Sequence, residues 1–294
     1  MKRVLHIAIF TLLIAATVFS QEIQTEHYDF KDYDKIEVNN SIYVTLVARN
    51  QEGVSVSCDD RLMPAMQVKK MGDKLSISID WDKVERIVEK QENSEIIIND
   101  DRIIINDENK FRGGLKVTVN VKNVTEIEAI SAGMVKWEGD LPTKKLRLIT
   151  SSAGSIKWDG VLELDELDMV CSSAGSVLGD LKLKNAAIAL NSAAKYSGDI
   201  DVETLVAEIS SAANFQGNVN ASRAKFDLDA VSNAKITGSI DTLHAEANTS
   251  SNLSAQELVY QYAEVKTDTY GVIYLSKSGK VVDNTPRSTG VIIE

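Results

Sequence analysis

From Leu115 onward, apolar residues fall at every second position in short runs. Examples are Leu115-Lys116-Val117-Thr118-Val119, Leu146-Arg147-Leu148-Ile149, Leu167-Asp168-Met169-Val170 and Phe226-Asp227-Leu228. A period of two marks a half-buried strand, with alternate side chains facing in and out. The runs are also near-copies of one another. Ser131-Ala132-Gly133 returns as Ser152-Ala153-Gly154, Ser173-Ala174-Gly175, Ser192-Ala193-Ala194 and Ser211-Ala212-Ala213. It weakens to Ser232-Asn233-Ala234 and Ser251-Asn252-Leu253, and fades at Tyr270-Gly271; the serines are spaced 21, 21, 19, 19, 21 and 19 residues apart. An apolar residue follows each triplet (Val135, Ile156, Val177, Tyr196, Phe215, Ile236), and then a turn glycine (Gly139, Gly160, Gly179, Gly198, Gly217, Gly238).

Strands in a sandwich or barrel are not copies of one another at a fixed period, whereas stacked coils must be. Successive coils lie ~4.8 Å apart, so like sits on like. The pattern predicts an all-β chain: a single-stranded right-handed parallel β-helix, or solenoid, with coils of about 19–21 residues. Eight or so coils over 113–275 would make a rod of roughly 40 Å. The serines are expected to form a hydroxyl ladder from coil to coil. Alanine and glycine would fill a tight inner corner, and the turn glycines would supply positive φ. The repeats span 113–277, and the tail 278–294 loses the pattern.

The N-terminal part differs. Lys2 and Arg3 precede an apolar run from Val4 to Phe19 that ends at Ser20 before Gln21. About 16 apolar residues fall short of the ~20 that span a bilayer. Residues 1–20 therefore read as a signal peptide, leaving no integral membrane segment after cleavage. Residues 27–112 hold irregular strands without the triplet, such as Ile36-Glu37-Val38, Ile42-Tyr43-Val44-Thr45-Leu46 and Leu75-Ser76-Ile77. Asp60 to Met66 suggests one helical turn, and Asp82 to Gln91 an exposed helix. Ile96-Ile97-Ile98 and Ile103-Ile104-Ile105 flank an acidic turn.

The order Tyr33-Asp34-Lys35-Ile36-Glu37-Val38, Ser41-Ile42-Tyr43-Val44, Val54-Ser55-Val56, Lys74-Leu75-Ser76-Ile77 and Ile127-Glu128-Ala129-Ile130-Ser131-Ala132-Gly133 resembles the putative auto-transporter adhesin "head GIN domain" family of Gram-negative envelope proteins. The resemblance covers about residues 27–277. It implies a β-helical fold, export to the periplasm or outer cell surface, and a putative adhesin role with unknown ligand.

Charge narrows the partners. The formal net charge is −11, and loss of Lys2 and Arg3 takes it to about −13. Such a surface repels phosphate backbones, so nucleic acid is not expected. Cys58 and Cys171 read as two buried small hydrophobes, with a disulfide as the alternative.

No catalytic set is legible. The three histidines, His6, His27 and His244, have no ligand spacing, and no serine sits in a nucleophile elbow. Asp159, Asp180 and Asp199 recur beside the turn glycines. A lyase or hydrolase would group carboxylates in this way, but aspartate is also ordinary turn chemistry. The acidic stretches Asn99-Asp100-Asp101 and Asn106-Asp107-Glu108-Asn109 read as solvated turns, with Ca²⁺ binding as the alternative. No metal or cofactor is expected. Trp137 and Trp158 occupy matching places in adjacent coils with Lys136 and Lys157 beside them. They form either a small glycan- or peptide-binding platform or interior packing. The leading reading is a non-catalytic binding protein whose ligand is a glycan or a protein. The alternatives are a carbohydrate-active enzyme and a structural protein that self-associates as a homo-oligomer.

Overall fold

The computed structural model describes residues 23–89, 95–99, 102–106, 115–140, 143–285 and 290–294. The signal-peptide segment 1–20 and most of the two acidic turns lie outside the described residues. The chain is a β-solenoid of about nine turns, and strands make up most of the described residues.

Three columns of parallel strands make its walls. The first column runs through Tyr43–Ala48, Met134–Glu138, the start of Ser155–Glu163 and on to Asn252–Ala255 and Val272–Leu275. The second begins at 161–163 and continues through 180–182, 200–202, 219–221, 238–240 and 258–260. The third runs from Lys74–Ile79 and Lys35–Val38 through Glu126–Ala129, Lys145–Thr150 and Glu166–Cys171 to 262–267. In the stretch expected to lose the pattern, Lys280–Asp283 and Val291–Ile293 each add a parallel rung.

Inward side chains stack in register. Val135, Ile156, Val177, Tyr196, Phe215 and Ala234 form one such column. The rings of Tyr196 and Phe215 lie 5.1 Å apart, and Phe226 meets Phe215 edge-on at 5.4 Å. Phe226 stacks between Ala207 and Ala245, so a small residue on each side gives the ring its space.

The Ser-Ala-Gly phrase is the corner between the third and first columns, though not in the expected way. Both leading residues are left-handed, for instance Ser152 at φ 49° and Ala153 at φ 62°, and both face solvent. Among the described residues, the hydroxyls of Ser131, Ser152, Ser173, Ser192 and Ser211 bond to no neighbouring coil. The ladder is made of backbone: Ala132 N–H donates to the Ser152 carbonyl at 2.8 Å, Ala153 to Ser173 at 2.9 Å, and Ala212 to Ala230 at 3.0 Å. A hydroxyl rung does form one position further on, where Ser176 Oγ meets Ser155 Oγ at 3.0 Å. Only the third triplet residue faces inward. A Cβ on Gly154 would stand 1.9 Å from the Ala129 carbonyl oxygen, so glycine is required there.

The backbone ladder also corrects the repeat register. The corner residues are Ser211, Ala230, Thr249 and Thr269. Ser232 and Ser251 thus stand in the third, inward place, and the corners after Ser173 are spaced 19, 19, 19, 19 and 20 residues apart. Their buried hydroxyls donate to the carbonyls of Ile209 at 2.8 Å and Leu228 at 3.1 Å. The same corner also occurs far upstream at Asn40-Ser41, where Ser41 N–H donates to the Ser131 carbonyl at 2.9 Å.

The chain therefore builds its first coil at 35–48, departs, and returns at Glu126 to stack on it. The excursion forms the N-terminal end. Ile23–Tyr28, Gly53–Asp59 and Lys116–Val121 pair antiparallel, and Met66–Met71 pairs antiparallel with Lys74–Ile79. A 3-10 turn at Met63–Ala65 and a helix at Trp81–Glu89 lie between them, and Glu95–Asn99 with Arg102–Asn106 makes a separate hairpin. Lys74 clamps the stack, with Nζ 2.6 Å from both Glu37 and Glu128. Cys58 and Cys171 are free and buried.

Candidate functional site

The structure places the sequence-predicted patch on two sides of one wall. Trp137 and Trp158 are in register, but their side chains turn inward and keep only 2% and 7% exposure. Their indole N–H groups donate to the carbonyls of Gly139 at 2.8 Å and Asp180 at 2.9 Å. Lys136 and Lys157 face outward. Lys136 Nζ lies 2.9 Å from Asp159 and 3.6 Å from Glu138, and the Asp159 carboxylate raises its pKa. Lys157 Nζ sits 5.7 Å above the Tyr43 ring. The indoles line a cleft of about 690 Å³, which also holds Asp140, Asp159 and Glu163.

The aspartates of the glycine turn do not form one column. Two extra residues between Lys157 and Val161 put Val161, not Asp159, in register with Asp180. Asp180 accepts the backbone N–H of Asp199 at 2.8 Å, and Asp199 accepts that of Asn218 at 3.0 Å. Each carboxylate is thus spent on the turn of the next coil. The glycines here also differ in their role. Gly139 and Gly160 take positive φ, whereas Gly198 and Gly217 permit close approach, since a Cβ would lie about 2.0 and 1.9 Å from the preceding glycine carbonyl. Among the described residues, no group of three or more His, Cys, Asp or Glu side chains could hold a metal ion. No helix among them is long and apolar enough to cross a membrane.

Two features of the outer surface were missed from sequence. One is a groove of about 560 Å³ along the edge between the second and third columns, which shares Lys144 and Glu163 with the indole cleft. From Lys182 onward its residues recur nine and eleven positions after each corner, a signal hidden by the misaligned register after Ser211. The other is a shallow, mainly apolar trough of about 790 Å³ on the third column, over Ala187 and Val206 and bordered by Arg147 and Asp168.

Comparison with known proteins bears on the fold. The family described as "Putative auto-transporter adhesin, head GIN domain" matches residues 32–208 and 181–292. None of the curated proteins compared matches the chain. A putative adhesin from Parabacteroides merdae ATCC 43184 is 15% identical, with 93% of this chain and 94% of that one covered and a TM-score of 0.51. A putative adhesin from Parabacteroides distasonis ATCC 8503 is 12% identical, with 94% and 98% covered and a TM-score of 0.56. A putative lipid binding protein from the same strain is 15% identical, also with 94% and 98% covered and a TM-score of 0.56. At these identities the likeness is one of fold.

Proposed function

Since the chain belongs to the putative auto-transporter adhesin, head GIN domain family, we propose that it is a non-catalytic binding protein of the bacterial envelope or surface. It presents its stacked outer walls to a glycan or a partner protein. The observation that carries this reading is the fate of Asp180 and Asp199, whose carboxylates cap backbone N–H groups of the following coil and leave no opposed acid pair there. The apolar run at Val4–Phe19 supports export, to the periplasm or the outer face of a Gram-negative cell. Within the surface, the cleft of Trp137 and Trp158, with Lys136 and Lys157 on the adjoining outer wall, belongs to the binding region.

The test is saturable binding of the chain from residue 21 onward to a panel of glycans and matrix proteins. Binding to one class supports the reading, and no saturable binding anywhere on the panel removes it. Release of reducing ends from polysaccharide would replace it with an enzymatic one.

The apolar trough over Ala187 and Val206 favours a second reading, in which an acyl chain is the ligand. One protein of similar fold is called a putative lipid binding protein. Flotation with neutral phospholipid vesicles, lost in Ala187→Glu, would support it.

A further inference from the structure

We infer that the groove between the second and third columns is the binding site for an extended, uncharged, β-linked glycan, a conclusion that rests on the binding-protein reading above. The groove follows from how the coil bends. Between the two columns the chain turns within one or two residues, leaving a concave seam floored by Leu164, Leu183, Val202 and Ala221. The first three floor residues keep only 4–6% exposure, so the floor is aliphatic carbon seen through a narrow slot.

Polar side chains line both sides of that floor and repeat once per coil. On one side Glu163, Lys182, Asp201, Asn220 and Ser239 stand in register. On the other side Lys184, Glu203, Ser222 and Asp241 alternate with them. From Glu163 to Ser239 is four coil steps, about 19 Å. A pyranose unit in an extended β-linked chain advances by close to one such step, so each sugar meets an equivalent set of side chains. Carbohydrate chemistry suits this cross-section, since ring C–H groups rest on the aliphatic floor while hydroxyls meet acceptors and donors at the walls.

Charge selects among glycans. Three lysines line the start of the groove: Lys182 is engaged with Glu163 at 3.3 Å and Lys184 with Asp165 at 3.0 Å, and Lys144 stands at the end shared with the indole cleft. Beyond Lys184, the groove is lined by Asp201, Glu203 and Asp241 and by no Lys or Arg. Among the described residues, the side chains of Asp201, Glu203 and Ser222 make no hydrogen bond or ion pair. They are free acceptors for hydroxyls, and the Asp201 and Glu203 carboxylates repel uronates and sulfates.

The experiment is calorimetric titration of the chain from residue 21 onward with neutral β-linked hexasaccharides of glucan, mannan and chitin type, and with oligogalacturonate. Three variants accompany it: the double variant D201A/E203A, which removes exposed acceptors; Ala221→Trp, which fills the floor; and Lys235→Trp, on the outer face of the first column. Unfolding curves confirm that each folds. The inference expects one neutral hexasaccharide to bind, D201A/E203A and Ala221→Trp each to weaken it about tenfold or more, and Lys235→Trp to leave it unchanged. Neutral binding unaffected by both groove variants would overturn the groove and leave the binding-protein reading standing. Preference for oligogalacturonate would overturn the ligand class. Saturable binding to a matrix protein with no glycan bound would overturn the inference alone. Binding to nothing on either panel would remove it together with the reading beneath it.

Discussion

Asp180 Oδ1 accepts the backbone N–H of Asp199 at 2.8 Å, across one coil of the solenoid. A carboxylate in this position is a substitute for a missing backbone rung. Asp180→Ala is therefore expected to cost about 1 kcal/mol and to lower the melting temperature by roughly 2–4 °C. Asp180→Asn keeps an acceptor oxygen and should recover most of the loss. Equal damage from both changes, measured by thermal unfolding, would show that the side chain does something other than close the turn.

Phe226 is fully buried between Ala207 and Ala245. Phe226→Ala should cost about 3–5 kcal/mol through lost burial and an unfilled cavity. Ala245→Phe alone should cost about 1–3 kcal/mol by overpacking. The double change moves the ring by one coil, so chemical denaturation should find it less damaging than the sum of the two. Strict additivity would contradict direct stacking.

The Lys74 clamp carries a pH dependence. Burial pushes the Glu37 carboxyl upward, but the Lys74 and Ser76 bonds outweigh it and the net shift is downward. Burial likewise lowers the Lys74 ammonium, and its two carboxylate partners reverse this to a net rise. A depressed acid contributes stability above its unfolded pKa of about 4.3, and that stability is lost as pH falls through the lower folded value. A raised lysine contributes fully below about 10.4 and loses its share as pH climbs through its folded value. Lys74→Met should therefore flatten the acid limb of a stability-against-pH curve and weaken the N-terminal end between the two limits. An acid limb of unchanged steepness in the variant would refute the clamp.

Burial raises the Cys58 thiol to about 12 and the Cys171 thiol to about 11. With thiolate so disfavoured, both should resist alkylation in the native protein at pH 8 and react fully once it is unfolded. Mass spectrometry after a timed iodoacetamide pulse reads this directly, and fast native labelling of either residue would contradict its burial.

The coil count and strand positions were legible in sequence because stacking forces equivalent residues into equivalent places. What escaped was which atoms do the stacking. Serine at the corner suggested hydroxyl chemistry, yet the left-handed pair at Ser152 and Ala153 turns the backbone into the ladder and leaves the hydroxyl in solvent. Serine can also serve the inward place, as Ser232 does through its bond to the Ile209 carbonyl, so matching by residue type slipped the register by two. Trp137 and Trp158 show the same limit. Their equivalence was readable from spacing, but their direction depends on strand parity within the coil. The groove was hidden for another reason: its walls are ordinary polar residues, and only the fold sets Asp201 beside Asn220.

The long excursion between Tyr43–Ala48 and Glu126–Ala129 has a consequence for how the protein assembles. From Glu126 to Leu275 each parallel rung finds its neighbour 19 to 21 positions away, whereas Lys35 meets Glu126 across 91. Closing that larger loop costs more chain entropy before any contact rewards it. The repeats therefore zip up quickly by nearest-neighbour growth, while the segment that leaves the ribosome first is the last to lock into place. In a chain threaded across a membrane from its N-terminus, this delay keeps the leading third unfolded until the section that completes it has followed.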